Sequence, residues 1–237
     1  TLIIVSLFRV VSMNVMSVAT IIHDEKLKVF YSEEAVSIAN YTDNTHEPTG
    51  WELFPSIFFD SDNDGMFEPN ESIGLVLSPC VHFTHIQPRH FWPLHQSIMQ
   101  DSEDPIIISS GWVSYPNTYR SKVEDADRLI TIECTVSIQA GNNYFKHEIR
   151  ITSTAPSTLT DINLIVYIGI DINGPFDDHV FIDFRRNDML KAYDSETGVW
   201  FGAYPNIHAD DFEVSEWNDG PYEGDDLWQR TLNDGLD

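Results

Sequence analysis

The chain is predicted to be all-β, an antiparallel β-sandwich with few or no long helices. Three observations lead there. From Leu129 onward, Ile130, Ile132, Cys134, Val136 and Ile138 alternate with Thr131, Glu133, Thr135 and Ser137, the period-two pattern of a strand with one buried face. Apolar runs of strand length recur along the chain, separated by polar turns rich in Gly, Pro, Asn and Ser. No stretch sustains helical periodicity for more than two or three turns.

The N-terminal segment, residues 1–20, stands apart. Leu2 to Val18 is largely apolar but interrupted by Ser6, Arg9, Ser12, Asn14 and Ser17. Arg9 at its centre argues against a membrane span. Two readings stay open. One is a remnant of a secretory signal, with Leu2 to Phe8 as its apolar stretch and Ser17-Val18-Ala19 near a cleavage site. The other is a retained strand, because Val11, Met13 and Val15 alternate with Ser12 and Asn14. An apolar terminal strand without a partner in its own sheet is the kind of element that inserts into a neighbouring subunit. Residues 21–237 are expected to form the sandwich domain.

Leu27 to Tyr31 and Ala35 to Asn40 read as short strands around a polar turn. Ser56 to Phe59 leads into an acidic loop and Ile73 to Leu77 leads out of it. Pro88, Pro93 and four histidines break up residues 80–98, which read as an irregular connection. Ile106 to Ser109 and Trp112 to Tyr115 are short and bounded by Pro105, Gly111 and Pro116. The strand from Leu129 turns at Ala140-Gly141-Asn142-Asn143. It is followed by Phe145, His147, Ile149 and Ile151 in alternation, so the two form an antiparallel hairpin. Ile162 to Ile172 is a third long strand, apolar enough on both faces to be central. Val180 to Phe184, Met189 to Tyr193 and Val199 to Tyr204 continue the meander. From Asn206 onward the chain is acidic and aromatic, with Trp217, Tyr222 and Trp228 among aspartates.

The acidic loop, Asp60 to Glu71, reads Asp-Ser-Asp-Asn-Asp-Gly-Met-Phe-Glu-Pro-Asn-Glu and matches the pattern D-x-[DN]-x-[DN]-G-x5-E at every required position. Calcium takes six to eight oxygens at once. Asp60, Asp62 and Asp64 supply carboxylates, Gly65 the sharp turn, Met66 a backbone carbonyl, Glu68 a direct or water-mediated oxygen and Glu71 a bidentate carboxylate. The loop resembles those of EF-hands, dockerins and thrombospondin type-3 repeats. That resemblance covers a dozen residues and implies a calcium site. The flanks differ from an EF-hand: Pro55 precedes the loop, Pro69 lies inside it, and Ser-Ile-Gly-Leu-Val-Leu follows, so the reading is strand, loop, strand. A single loop of this kind suits extracellular calcium, with a dissociation constant of about 0.1–1 mM. The segments Tyr167-Ile-Gly-Ile-Asp-Ile-Asn-Gly, Asp177-Asp-His-Val-Phe-Ile-Asp and Gly198-Val-Trp-Phe-Gly resemble secreted microbial β-sandwiches, which implies secretion and the same fold class.

A net charge of −25 argues against nucleic acid and anionic membrane surfaces as partners, by repulsion. Aspartates number 23 against five lysines, a balance suited to salty or calcium-rich surroundings and, equally, to solubility alone. Asp171, Asn173, Asp177 and Asp178 gather oxygen-bearing side chains near a Gly-Pro turn, either a second calcium site or an Asx-rich turn. His82, His85, His90 and His95 follow Cys80 without the spacing of a known zinc or copper site. Cys80 and Cys134 either pair in a disulfide or stand as buried apolar residues. No nucleophile, P-loop or metalloprotease motif is present. The expected function is therefore an extracellular calcium-binding structural protein that assembles with copies of itself. A carbohydrate-binding or glycosidase-associated β-sandwich module, carried by the aromatic, acidic C-terminal third, is the alternative.

Overall fold

Alternating apolar residues produce long ladders here, and the ladders define the architecture of the computed structural model, which describes residues 20–31, 55–68, 71–93, 105–172, 179–183 and 189–206. The strands are β1 (Thr20–His23), β2 (Leu27–Tyr31), β3 (Pro55–Phe59), β4 (Ser72–Thr84), β5 (Pro88–Phe91), β6 (Ile106–Ser114), β7 (Thr118–Glu124), β8 (Ile130–Ile138), β9 (Phe145–Ser153), β10 (Thr160–Ile172), β11 (His179–Asp183), β12 (Met189–Tyr193) and β13 (Trp200–Ala203). All pair antiparallel. The all-β class is as the sequence predicts. The predicted strand Ala35–Asn40 lies outside the described residues, as do residues 1–19.

The chain divides into two compact units, residues 1–173 and 174–237, a boundary that the sequence reading of one domain over 21–237 does not draw. In the first unit, one sheet has the order β1-β2-β3-β4-β10, with β5 beside the end of β4, and a second has the order β6-β7-β8-β9. Cross-strand rows carry the core. Val29, Ile57 and Ile73 are ladder partners, and Leu75, Leu77, Val81 and Phe83 continue the same face along β4. All seven are buried. On the second sheet Tyr119, Val123, Ile132 and Val136 are buried, with Ser121 paired to Cys134 in the row between them. The two inner faces meet where the Tyr31 hydroxyl and Ser121 Oγ hydrogen-bond at 2.6 Å, and where the Tyr31 and Tyr119 rings pack edge to face at 5.9 Å. This is a sandwich closed on an apolar core with a small polar contact inside it. In the second unit, β11, β12 and β13 form a three-stranded meander.

Five elements differ from the sequence reading. β10, read as apolar enough on both faces to be central, is the last strand of its sheet among the described residues, paired with β4 alone. Residues 80–91, expected to be irregular, belong to the end of β4 and to β5, joined by a tight turn in which His85 N–H donates to Gln87 O at 3.3 Å. Pro79 sits within β4 at a point where the flanking ladder passes from β3, paired at residues 72–74, to β5, paired at residues 81–84. A missing N–H is tolerated in that interval. Ile106 to Ser114 is one strand running through Gly111. The strand Thr118–Glu124, mixed in composition, is fixed by pairing with β6 and β8 on both sides.

Of the two readings of the cysteines, the disulfide is not formed and the buried unpaired one holds: Cys80 and Cys134 are both free and buried. Cys134 lies in the row with Ser121 and faces the sandwich interior. Cys80 neighbours Val81 in β4 and so points to the opposite face of its sheet, where its Sγ–H donates to Phe91 O at 3.2 Å. The two thiols project in directions that no disulfide bridges. Burial pushes the Cys134 thiol up to about 12 and raises that of Cys80 well above its ordinary value.

Candidate metal centre

The acidic loop joins β3 to β4, so both of its ends are held by one hairpin. Phe59 N–H donates to Glu71 O at 3.0 Å, closing the loop at its base, and Asp60 N–H donates to Lys26 O at 3.0 Å. The first and last carboxylates therefore leave adjacent strands side by side. Asp60 and Glu71 are buried, at 4% and 5% exposure, whereas Asp62, Asp64 and Glu68 are exposed.

The loop folds inward around these two residues. Asp60 Oδ1 accepts from Asp64 N–H at 3.1 Å and Oδ2 from Gly65 N–H at 3.0 Å. Asp62 Oδ1 accepts from the same Asp64 N–H at 3.1 Å. Glu71 Oε1 accepts from Ser61 N–H at 2.7 Å and from the Ser61 hydroxyl, and Oε2 accepts from Glu68 N–H at 3.3 Å. The Ser61 hydroxyl, then the Ser61 amide, hold the Glu71 carboxyl below its ordinary value against the opposing effect of burial. The chain turns tightly enough for this because Asn63 and Gly65 adopt φ of 65° and 83°. A Cβ at Gly65 would meet nothing within 4 Å, so it is the positive φ and not lack of space that favours glycine there.

One carboxylate oxygen from each of Asp60, Asp62 and Glu71 lies within 4.8 Å of the others. Three like charges at that separation repel by roughly 1 kcal/mol per pair in water and more in a partly buried site. Each ionised carboxylate has about four lone-pair positions, and the bonds above use only part of them. The arrangement is a set of hard oxygen donors with unspent acceptor capacity around one point, which suits a hard cation such as calcium.

Of the six predicted ligands, the structure brings together Asp60, Asp62 and Glu71. Asp64 is turned aside, its Oδ1 accepting from Met66 N–H at 2.7 Å. The Glu68 carboxylate is outside the group; Met66, predicted to contribute its backbone carbonyl and not its side chain, is 59% exposed. Ser61, which orients Glu71, occupies a position where the sequence pattern allows any residue. Lys26 and Lys28 also belong to the wall: Lys26 Nζ bonds Asn63 Oδ1 at 2.6 Å, and Lys28 Nζ sits 4.2 Å above the Phe67 ring. No local motif reports these two lysines, because the β2–β3 pairing brings them to the loop.

The other candidate groups do not converge. Asp171 lies in β10, while Asn173, Asp177 and Asp178 lie outside the described residues. His82 and His90 are ladder partners on β4 and β5, but His85 Nε2 is engaged with Ser157 Oγ at 2.7 Å and His95 lies outside the described residues. Among the described residues, the only His, Cys, Asp and Glu atoms gathered closely enough to share a metal are those of Asp60, Asp62 and Glu71. No helix among the described residues is long and apolar enough to cross a membrane. No protein-family model, no curated protein and no solved structure matches the chain.

Proposed function

We propose that this chain is an extracellular calcium-binding structural protein, a subunit of a surface layer, filament or matrix, in which calcium stiffens the strand-loop-strand at residues 60–71. The observation that carries the reading is the convergence of Asp60, Asp62 and Glu71 on one point between two paired strands. A cation there offsets the mutual repulsion and ties the loop to its hairpin. The net charge of −25 and the scarcity of lysine support surroundings rich in divalent cations. Without flanking helices or a second loop, the site suits a fixed clamp better than a sensor. Isothermal titration of the metal-stripped protein with calcium tests it. The expected result is one site with a dissociation constant of about 0.1–1 mM, lost in Glu71→Gln. Absence of saturable binding at 10 mM calcium, a concentration about tenfold above that range, refutes it.

A second reading, carbohydrate binding, has its own support in the 174–237 unit. His179, Tyr193 and Trp200 form one cross-strand row over β11, β12 and β13, with stacked rings at 4.8 and 4.6 Å. Phe181 packs edge to face on Trp200, which is 58% exposed. An exposed aromatic face of this kind suits sugar rings. The tryptophans first associated with this reading, Trp217 and Trp228, lie outside the described residues. Retention on a polysaccharide panel, abolished by Trp200→Ala, favours this reading; no retention by the unaltered chain removes it.

A further inference from the structure

The turn between β1 and β2 makes more bonds than reversing the chain requires. Asp24 Oδ1 accepts from Lys26 N–H and from Leu27 N–H, both at 2.8 Å, and Asp24 N–H donates to Leu27 O at 3.0 Å. These bonds close the turn on the aspartate's own side chain. The second carboxylate oxygen is left over, and it reaches the other sheet. Asp24 Oδ2 accepts at 2.9 Å from the N–H of Gly141, 117 residues away in sequence, in the turn between β8 and β9. Beside it, His23 N–H donates to Pro116 O at 3.1 Å in the turn between β6 and β7, and Asn117 O of that turn accepts from Ile138 N–H at 2.9 Å. One carboxylate and one amide of the first sheet thus hold two turns of the second.

On its other side the same turn grips the acidic loop. Lys26 O accepts from Asp60 N–H at 3.0 Å, and Lys26 Nζ donates to Asn63 Oδ1 at 2.6 Å. The loop is therefore held at its first residue and at its bend, where Asn63 has φ of 65°. The two attachments share a rigid part. Lys26 O and Leu27 N–H belong to one planar peptide unit. Its oxygen faces Asp60, and its N–H donates to Asp24 Oδ1. A continuous series of bonds results: Asp60 N–H, the Lys26–Leu27 peptide, the planar Asp24 carboxylate, Gly141 N–H. A peptide that accepts at its oxygen donates more strongly at its N–H. A shift of that peptide also moves the carboxylate that holds Gly141.

We propose that the β1–β2 turn couples the acidic loop to the second sheet, so that a cation held by Asp60, Asp62 and Glu71 tightens the Asp24–Gly141 bond and closes this end of the sandwich. The coupling rests on the calcium reading above and extends it from one hairpin to the joining of two sheets. Linkage makes it reciprocal: weakening the Asp24–Gly141 bond weakens calcium binding by the factor with which calcium strengthens that bond.

Amide exchange followed by NMR on the full chain, metal-stripped and in saturating calcium, tests it. Gly141 N–H is the reporter, since Gly141 is exposed and its amide bonds Asp24. Arg128 N–H, bonded to Asp125 O in the turn at the opposite end of β8, is the control. Calcium is expected to slow Gly141 exchange about fivefold, the factor that one hydrogen bond contributes, and to leave Arg128 nearly unchanged. Lys26→Met removes the bond to Asn63 and should lessen that slowing. Asp24→Asn keeps one oxygen for the turn, and titration calorimetry should show calcium affinity lowered by the same factor. Glu25→Gln removes an equal charge from an exposed neighbour and should keep the parent affinity. Circular dichroism matching the parent establishes that each variant folds, and the parent's own exchange decides the matter without them. Calcium binding with Gly141 unchanged, or slowed no more than Arg128, overturns the coupling and leaves the calcium reading standing. Parent affinity in Asp24→Asn, or an equal loss in Glu25→Gln, does the same. Absence of saturable calcium binding removes both.

Discussion

Replacing Glu71 by Gln removes one of the three converging charges while keeping an oxygen able to accept the Ser61 hydrogen bonds, so it tests the ion rather than the loop's shape. With a dissociation constant of about 0.1–1 mM, 10 mM calcium stabilises the folded unit by RT ln(1 + [L]/Kd), about 1.4–2.7 kcal/mol. For a unit of this size each kcal/mol raises the melting temperature by about 2–4 °C, so the parent should gain about 3–10 °C. Glu71→Gln should keep less than a third of that gain. In the metal-free state it is expected to melt within a few degrees of the parent. Relief of two repulsive contacts, each roughly 1 kcal/mol in water, is set against the loss of charge-assisted bonds to Ser61 and Glu68. Differential scanning calorimetry in chelator, in 10 mM calcium and in sodium chloride of equal ionic strength separates site binding from screening of the net charge of −25. Equal gains in calcium and sodium, or a full calcium gain in Glu71→Gln, would refute the reasoning.

Gly65→Ala forces a Cβ into a backbone held at φ 83° and should cost about 1–2 kcal/mol, read as a lower denaturation midpoint with weakened calcium binding. Both thiols should resist a water-soluble disulfide reagent in the native protein and react together on unfolding, because burial holds each in its protonated form; one or no thiol in the unfolded, unreduced chain contradicts the unpaired assignment. His147 faces inward on β9 opposite Val136, and burial lowers its pKa from 6.5 to about 4. The folded state then binds fewer protons than the unfolded state between those values. Stability attributable to His147 is complete above about pH 6.5 and falls progressively towards pH 4, by about 1–3 kcal/mol after allowance for partial exposure. His147→Leu should flatten that part of the pH-stability curve measured by urea denaturation, and an unchanged slope counts against it. Ile132→Ala, in the fully buried row of β8, should destabilise by about 2–5 kcal/mol.

The long hairpin of β8 and β9 is legible because one face of each strand is apolar and the other polar, so period alone fixes strand and register. The end of β4 is not, because both its faces are covered and Pro79 and the histidines mimic a break. What keeps it a strand is pairing with β10, whose partners run from Thr160 opposite Thr84, 76 residues away, to Val166 opposite Pro79, 87 residues away. For the same reason β7 shows little local signal. In the candidate site, the motif predicts where the chain turns back and that Asp60 and Glu71 meet, since both flank a hairpin closure. It does not predict that Asp64 bonds the Met66 amide, or that Ser61 holds Glu71, because these are choices among local hydrogen bonds. The division at residue 173 is equally hidden: the sequence continues in strand-length apolar runs on both sides of it.

β10 ends at Ile172, directly before the boundary between the two units, and Ile172 is the ladder partner of Ile73, two residues after Glu71. Tension applied between the units therefore enters the larger one at the Ile172–Ile73 rung, beside the acidic loop. Peeling β10 from β4 begins at the strand that the loop anchors, so whatever stiffens the loop sets the force at which the first rung gives way. The loop stands at the rung where such a pull would arrive, and how firmly its ends are held bears on how far the chain could be pulled before the ladder opens.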